Sequence, residues 1–446
     1  MYRFPEGFYS DVRIEDVFQT NITVTLGQIE DFRVKEYTAA FIRVFNGRRW
    51  FFSSTTNVDS IQDELDRLAS MGDPMDNPED HPMVKKFESN REEHLEFTGD
   101  NDLSRLPAKK KFDDVSAYFP IVSDSGYVRY WVGSYIDQRV VKRFCSSIGA
   151  DLVFDFQRAG VRIGYELSDG DRRFRDRFDL ASNYYQDLAG LEDRISESFQ
   201  KSVAFLKSAE NVQPGRYTVI LSPEAAGIFA HESFGHKSEA DFMLGDTHML
   251  KEWHLGKKVG SDILSIVDDG NIKSVGYVPY DDEGTKAKET YLIRNGVLSG
   301  RLHSAVTAAS LEEEPTGNAR AVNFEYEPIV RMSTTYIKPG TRKLDELVAE
   351  IENGIFVETL NHGSGMSTFT MAPARAYIIK NGEITDPVRI SVITGNVFRT
   401  LNEIDGLSDD LQILSFALGG CGKMEQSPLP VSFGGPYVRV KNLNVQ

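Results

Sequence analysis

His231, Glu232 and His236 are the residues of this sequence whose types and spacing best suit chemistry. They lie in Ala230-His231-Glu232-Ser233-Phe234-Gly235-His236, just past the midpoint of the chain. Neutral imidazole is the commonest zinc ligand, and a carboxylate beside a metal-activated water is the general base that peptide hydrolysis needs. The spacing is His-Glu-x-x-x-His, one residue longer than the familiar His-Glu-x-x-His. At about 100° per residue, side chains five apart on an ideal helix diverge by roughly 140°, too far for one ion. Two readings therefore stand on the pattern alone. Either the helix bends, unwinds or takes in an extra residue near Gly235, where glycine tolerates distortion, or the two histidines are unrelated residues at a helix end.

Other candidates are scattered. Cys421 sits in Gly419-Gly420-Cys421-Gly422-Lys423, open to close approach, and a thiolate is a natural third ligand for a two-histidine zinc site. A lone cysteine in a glycine-rich loop does not by itself require that role. Glu239 and Asp241 are placed either to hydrogen-bond the far side of a ligating imidazole or to stand as exposed acids on a helix end. His362, between glycines, faces either a cleft or solvent. His248 and His254 have no ligand spacing to the motif, His81 and His94 read as solvated, and Cys145 reads as a small buried hydrophobe. Substrate-binding residues cannot be picked out.

The element that must position the pair is legible. Tyr217-Thr218-Val219-Ile220-Leu221 reads as a buried strand, Ser222 as a helix cap and Pro223 as the first helical residue. Ala225, Ala226, Ile228 and Phe229 supply apolar packing just ahead of His231. At 446 residues the chain exceeds one typical core, and two or three domains are expected. Residues 1–72 read as an N-terminal sheet and helix, with Ile61, Leu65 and Leu68 at helical spacing and a hairpin at Asn46-Gly47. Residues 73–115, rich in proline and charge, read as a linker or surface excursion. Residues 116–210 read as a β meander turning at Ala159-Gly160 and Asp169-Gly170, then a bridging helix from about 186 to 206. Residues 211–446 read as a β-rich C-terminal domain that carries the metal-site helix, with further hairpins at Asn295-Gly296 and Asn381-Gly382. The fold class is α+β.

Charge and composition exclude several classes. A net charge of −17 disfavours direct nucleic-acid binding, which draws on Lys and Arg neutralising phosphates, and Lys109-Lys110-Lys111 reads as a solvated loop. No apolar run approaches a membrane span and the opening residues show no signal-peptide core, so a cytoplasmic protein is expected. Two cysteines are too few for a disulfide framework.

The order of four motifs resembles the TldD/PmbA family, known as modulators of DNA gyrase. They are His231-Glu232-x-x-x-His236-x-x-Glu239-x-Asp241, then Asp282-Glu283-Gly284-Thr285, then Glu314-Pro315-Thr316-Gly317-Asn318-Ala319-Arg320, and Cys421-Gly422-Lys423. The resemblance implies a zinc metallopeptidase with His231, His236 and Cys421 as ligands and Glu232 as general base. It further implies peptides or unstructured protein segments as substrates. A dimer is also implied, with a second copy or with a TldE/PmbA-like chain lacking the metal motif, this chain being the TldD type. The alternatives are another metal-dependent amide hydrolase, or a non-catalytic modulator binding a partner such as gyrase. Glu425 departs from the family pattern, which commonly has glycine there.

Overall fold

The computed structural model describes residues 2–446, which fold as α+β around three large sheets, of seven strands in the N-terminal half and of eight and six strands in the C-terminal half. In the first, β1 (Tyr9–Thr25) and β2 (Gln28–Phe45) form a long antiparallel hairpin, and β3 (Trp50–Thr55) returns along β2 through the turn at Asn46-Gly47. After the short β4 (Arg91–His94) come β5 (Val128–Ser146), β6 (Asp151–Asp169) and β7 (Arg172–Ser182). All join one sheet in the order β3-β2-β1-β5-β6, with β4 and β7 sharing the free edge of β6. The segments 1–72 and 116–210 thus build a single sheet, not two separate ones. Helix α1 (Ile61–Ala69) covers the β1–β2 end with Ile61, Leu65 and Leu68 fully inside.

Residues 73–115 are not a linker. Phe87, Phe97 and Leu103 are buried, β4 pairs in parallel with β6, and α2 (Ala108–Ser116) packs on the sheet. The lysine run divides by face. Lys109 and Lys110 pair with Asp113 and Asp114 at i+4, whereas Lys111 is wholly buried with Nζ 2.6 Å from Asp137. Periodicity conceals this, because a buried ammonium is tolerated only where a particular carboxylate meets it. A short α3 (Pro120–Ser123) and the long α4 (Glu192–Ser208) close the other end of the sheet. Ile195, Phe199, Val203 and Leu206 of α4 pack on Ala159, Val161, Ile163 and Tyr165 of β6.

The expected turn at Ala159-Gly160 is the middle of β6; the real reversal is at Gly170. Gly160 is needed for space. A Cβ there would stand 2.5 Å from that of Ala417, on the C-terminal segment that crosses this strand.

In the C-terminal half, the strands Gly215–Leu221, Asn353–Gly365, Thr368–Lys380, Ile393–Asn396 and Val438–Val445 pair in a closed ring. A second, six-stranded sheet includes Ile266–Asp269, Thr334–Ile337 and Ser432–Gly435. Helix α5 (Pro223–Ala230) is enclosed between ring and sheet, and one large apolar core surrounds it.

The Asp281–Thr285 motif locks the two halves together. Asp282 meets Arg13 of β1 at 3.5 Å and Lys142 of β5, while Glu283 meets Arg43 of β2 at 3.1 Å. All five side chains are buried. Burial would raise the Asp282 carboxyl, but Arg13 and Lys142 outweigh it and hold the group at about 2, below its ordinary 3.8. Removing one partner of a buried ion cluster costs about 3–5 kcal/mol, so Asp282→Asn should lower stability by that amount at neutral pH in urea titrations. Because the folded value is depressed, the contribution is complete above 3.8 and is lost as pH falls toward 2. The gap between wild type and variant should therefore narrow over that window, by about 2 kcal/mol. A gap independent of pH would show that the charge pair is not its source.

Candidate metal centre

The site is built outward from α5. The strand Gly215–Leu221 ends at Ser222, whose hydroxyl accepts from the Ala225 amide at 3.2 Å, and Pro223 opens the helix. The helix runs as an α-helix to Ala230 and then widens. Residues His231–Gly235 form one π-helical turn, in which the His236 amide donates to the His231 carbonyl. An i→i+5 bond stacks residues five apart over one another, which resolves the 140° divergence expected for a regular helix. The two imidazole centroids lie 5.1 Å apart.

Gly235 sits where the distortion is expected, but for a different reason. Its φ of −56° is ordinary helix, so the wide turn does not draw on glycine's conformational freedom. A Cβ at this position would meet Met332 Sδ at 2.1 Å; the constraint is packing of the turn against that side chain.

Cys421 arrives from the far end of the chain on the hairpin Cys421–Lys423/Gln426–Leu429. Its Sγ is 3.5 Å from Nε2 of His236, and one ligand atom from each of His231, His236 and Cys421 lies within 4.8 Å of the others. Donors at about 2.0–2.3 Å from one tetrahedral zinc lie roughly 3.5 Å apart, so the set fits such an ion. Among the described residues the buried Nδ1 of His231 has no hydrogen-bond partner. Burial would raise the Cys421 thiol, but hydrogen bonds and charge from both imidazoles prevail and bring it to about 5, the thiolate state that a metal requires. Burial would lower His236, yet Cys421 and Glu239 raise it to about 10.

The two flanking acids have different places. Glu239, fully buried, meets Nδ1 of His236 at 3.2 Å and so fixes the ring with Nε2 toward Cys421. Asp241 touches neither histidine; both its oxygens accept from Lys423 Nζ at 2.7 Å. Lys423 also reaches Glu239 at 3.1 Å and the Val330 carbonyl at 2.8 Å. This lysine, two residues past the cysteine, ties the Cys421 hairpin to the acid that orients His236.

Sequence reasoning missed the braces behind the hairpin. Arg331, fully buried, donates to the Cys421 carbonyl at 2.6 Å and to that of Gln426 at 3.1 Å. Arg320 holds the carbonyls of Met332 and Pro430. Asn318, two residues before it, bonds Asp268 and the Arg331 carbonyl. Asn318 and Arg320 of the Glu314–Arg320 motif thus brace the cysteine loop, whereas Glu314 pairs with Lys86 at the surface; in the sequence only the family resemblance marked this motif.

Glu232 is half-buried and opens with His231 onto a cleft of about 310 Å³, whose wall includes Ile228, His362, Gly363 and Phe433. His362 is exposed and lines this cleft, while His248 and His254 are exposed and outside the three-residue cluster. His94 is bonded to the Tyr277 hydroxyl at 2.9 Å and His81 to the Met83 amide, so neither is simply solvated. Cys145 is partly buried on β5, its thiol pushed up to about 12 by burial and by Asp11 and Asp151.

A metallopeptidase-type site in this α+β frame has known counterparts. Residues 214–446 match the PmbA/TldA metallopeptidase C-terminal domain and residues 10–72 match domain 1 of the same metallopeptidases. The chain belongs to the PmbA/TldD metallopeptidase family. It is 32% identical to a metalloprotease of Methanothermobacter thermautotrophicus, over 98% of this chain and 95% of that one. It is 30% identical to a zinc metalloprotease TldD homolog of Saccharolobus solfataricus, over 98% and 96%. Among solved structures it resembles TldE of Thermococcus kodakarensis, with a TM-score of 0.74 at 17% identity over 98% and 96% of the two chains. A Thermotoga maritima protein named for modulation of a DNA gyrase superimposes with a TM-score of 0.78 at 20% identity, covering 99% and 96%. Among the described residues no helix is long and apolar enough to cross a membrane.

If Glu239 holds His236 for a metal, Glu239→Gln should weaken metal affinity by about 10–100-fold while leaving all three donor residues in place. Competition with a zinc-chelating dye would read the change; unaltered affinity would reduce Glu239 to a fold-stabilising acid.

Proposed function

We propose that the chain is a zinc-dependent peptidase acting on peptides or unstructured protein segments, with His231, His236 and Cys421 as ligands and Glu232 as general base. The observation that carries this reading is the meeting of two imidazoles and a thiol, 185 residues apart in sequence, beside a cleft that His231 and Glu232 line. When bound there, zinc would supply a Lewis acid and would lower the pKa of the attacking water.

The protein's own groups do the rest. Glu232 takes the proton from water as it adds to the scissile carbonyl, then delivers it to the departing amine. Its carboxylate makes no hydrogen bond to another described residue, which leaves it free to turn between the two positions. Glu239 and Lys423 keep His236 and the Cys421 hairpin in register, and Arg331 fixes the cysteine backbone. A cleft of about 310 Å³ is of a size for a short stretch of peptide, which supports peptides and unstructured segments as substrates. A reducing, cytoplasmic setting suits a buried thiolate ligand. Assembly with a second copy, or with a TldE/PmbA-like chain, is part of this reading, supported by the likeness to TldE.

Glu232→Gln should bind as much zinc as wild type by elemental analysis and lose hydrolysis by about 10²–10⁴-fold. Cys421→Ala and His236→Ala should lose zinc. Retained turnover in Glu232→Gln would remove it as base. A wild-type protein that stays metal-free when zinc is offered under reducing conditions would leave a partner-binding, non-catalytic role.

A further inference from the structure

Building on the peptidase reading, we infer that the cleft beside Glu232 selects a carboxylate on the peptide, and that Arg158, Arg162 and Arg177 are its recognition residues. All three line the cleft with His231 and Glu232. Arg158 and Arg162 are on β6 and Arg177 on β7, and the register places all three on one face of the sheet. The opposite face of β6 is conventional core: Ala159, Val161 and Ile163 are fully buried under α4. On the cleft face the strand carries Arg158, Gly160, Arg162 and Gly164 instead.

These guanidinium groups are short of acidic partners. Asp179, the carboxylate that faces Arg162 across the two strands, lies 3.7 Å from it and also accepts from the Ala417 amide at 2.6 Å. Among the described residues Arg158 makes no ion pair, and its Nε is buried without a hydrogen-bond partner. Burial and the neighbouring Arg320 depress it to about 10. The Arg177 guanidinium donates, among the described residues, to the Leu360 carbonyl alone, at 3.3 Å, and lies over the Phe416 ring. A chain of net charge −17 does not lack acids, so an under-neutralised arginine cluster in its cleft calls for an anion from outside. Guanidinium groups in a partly desolvated cleft hold carboxylates by short charge-assisted hydrogen bonds. In a peptide that anion is either the C-terminal carboxylate or an Asp or Glu side chain near the scissile bond.

The test uses the full chain, zinc-loaded, and a short peptide in paired forms: C-terminal acid against amide, and internal Asp against Asn. Wild type should cleave one carboxylate form about tenfold better or more in kcat/KM than its neutral partner, through KM, the worth of one charge-assisted hydrogen bond. Which pair shows the preference tells the source of the carboxylate. The ratio should fall toward one in Arg158→Gln and Arg177→Gln, and in Arg162→Gln, whose side chain, 36% exposed, is safer to replace than the more buried Arg158. Fluorescence anisotropy of the same labelled peptides on zinc-loaded Glu232→Gln should show the same ranking without turnover. Equal kinetics and equal binding for both members of each pair, or a preference unchanged in all three arginine variants, would overturn the inference. A binding preference without cleavage of any peptide by wild type would instead uphold it and overturn the peptidase reading.

Discussion

The hydrogen bond from the His236 amide to the His231 carbonyl is the constraint on which the centre depends. Written as an α-helix, this sequence would point its two imidazoles to different sides of α5 and no cluster would form. One i→i+5 bond adds a residue to the turn and restores the stacking that His-Glu-x-x-His reaches without distortion. The wide turn is held from outside. Ser222 caps the helix and the six-stranded sheet packs along it. Met332 then fills the volume that any side chain at position 235 would occupy.

Bringing Cys421 to that turn is a second problem, since a loop closed over some 185 residues has no local preference for the right place. The solution is ionic and buried. Lys423 joins Asp241, Glu239 and the Val330 carbonyl, while Arg331 grips the Cys421 and Gln426 carbonyls. Buried charges of this kind add little net stability over apolar packing, but they fix position, and an apolar hairpin could slide. Charge here is spent on placing the thiol against His236 within hydrogen-bond reach.

What could be read from sequence follows from whether the signal is local. The α1 and α5 helices, the Ser222 cap, the Asn-Gly hairpins and the identity of His231, Glu232 and His236 all rest on residues within a turn or two of one another. The hairpin of β1 and β2 was legible only in pieces, because Gln28–Thr38 is largely exposed and carries little alternation. Gly160 carried a turn signal, yet its real reason is a segment more than two hundred residues away. Lys111 looks like any lysine in a run until Asp137 is placed beside it. Arg331 and the arginines of β6 and β7 are invisible for the same reason: their roles are defined by tertiary neighbours, and residue type alone does not distinguish a solvated guanidinium from one aimed into a cleft.

The cleft also explains why the two halves must be locked. Glu232 and His231 come from the C-terminal half, whereas Arg158, Arg162 and Arg177 come from the N-terminal sheet. The 415–417 segment that leads to Cys421 is itself laid across that sheet, through the Ala181 amide to the Ser415 carbonyl and the Ala417 amide to Asp179. A rotation between the halves would therefore move the cysteine loop and the arginine face relative to α5 together. The Asp282 and Glu283 pairs with Arg13, Lys142 and Arg43 oppose that rotation from the other side of the interface. Their buried charge, distant from any reacting atom, thereby becomes a condition for the geometry of the site.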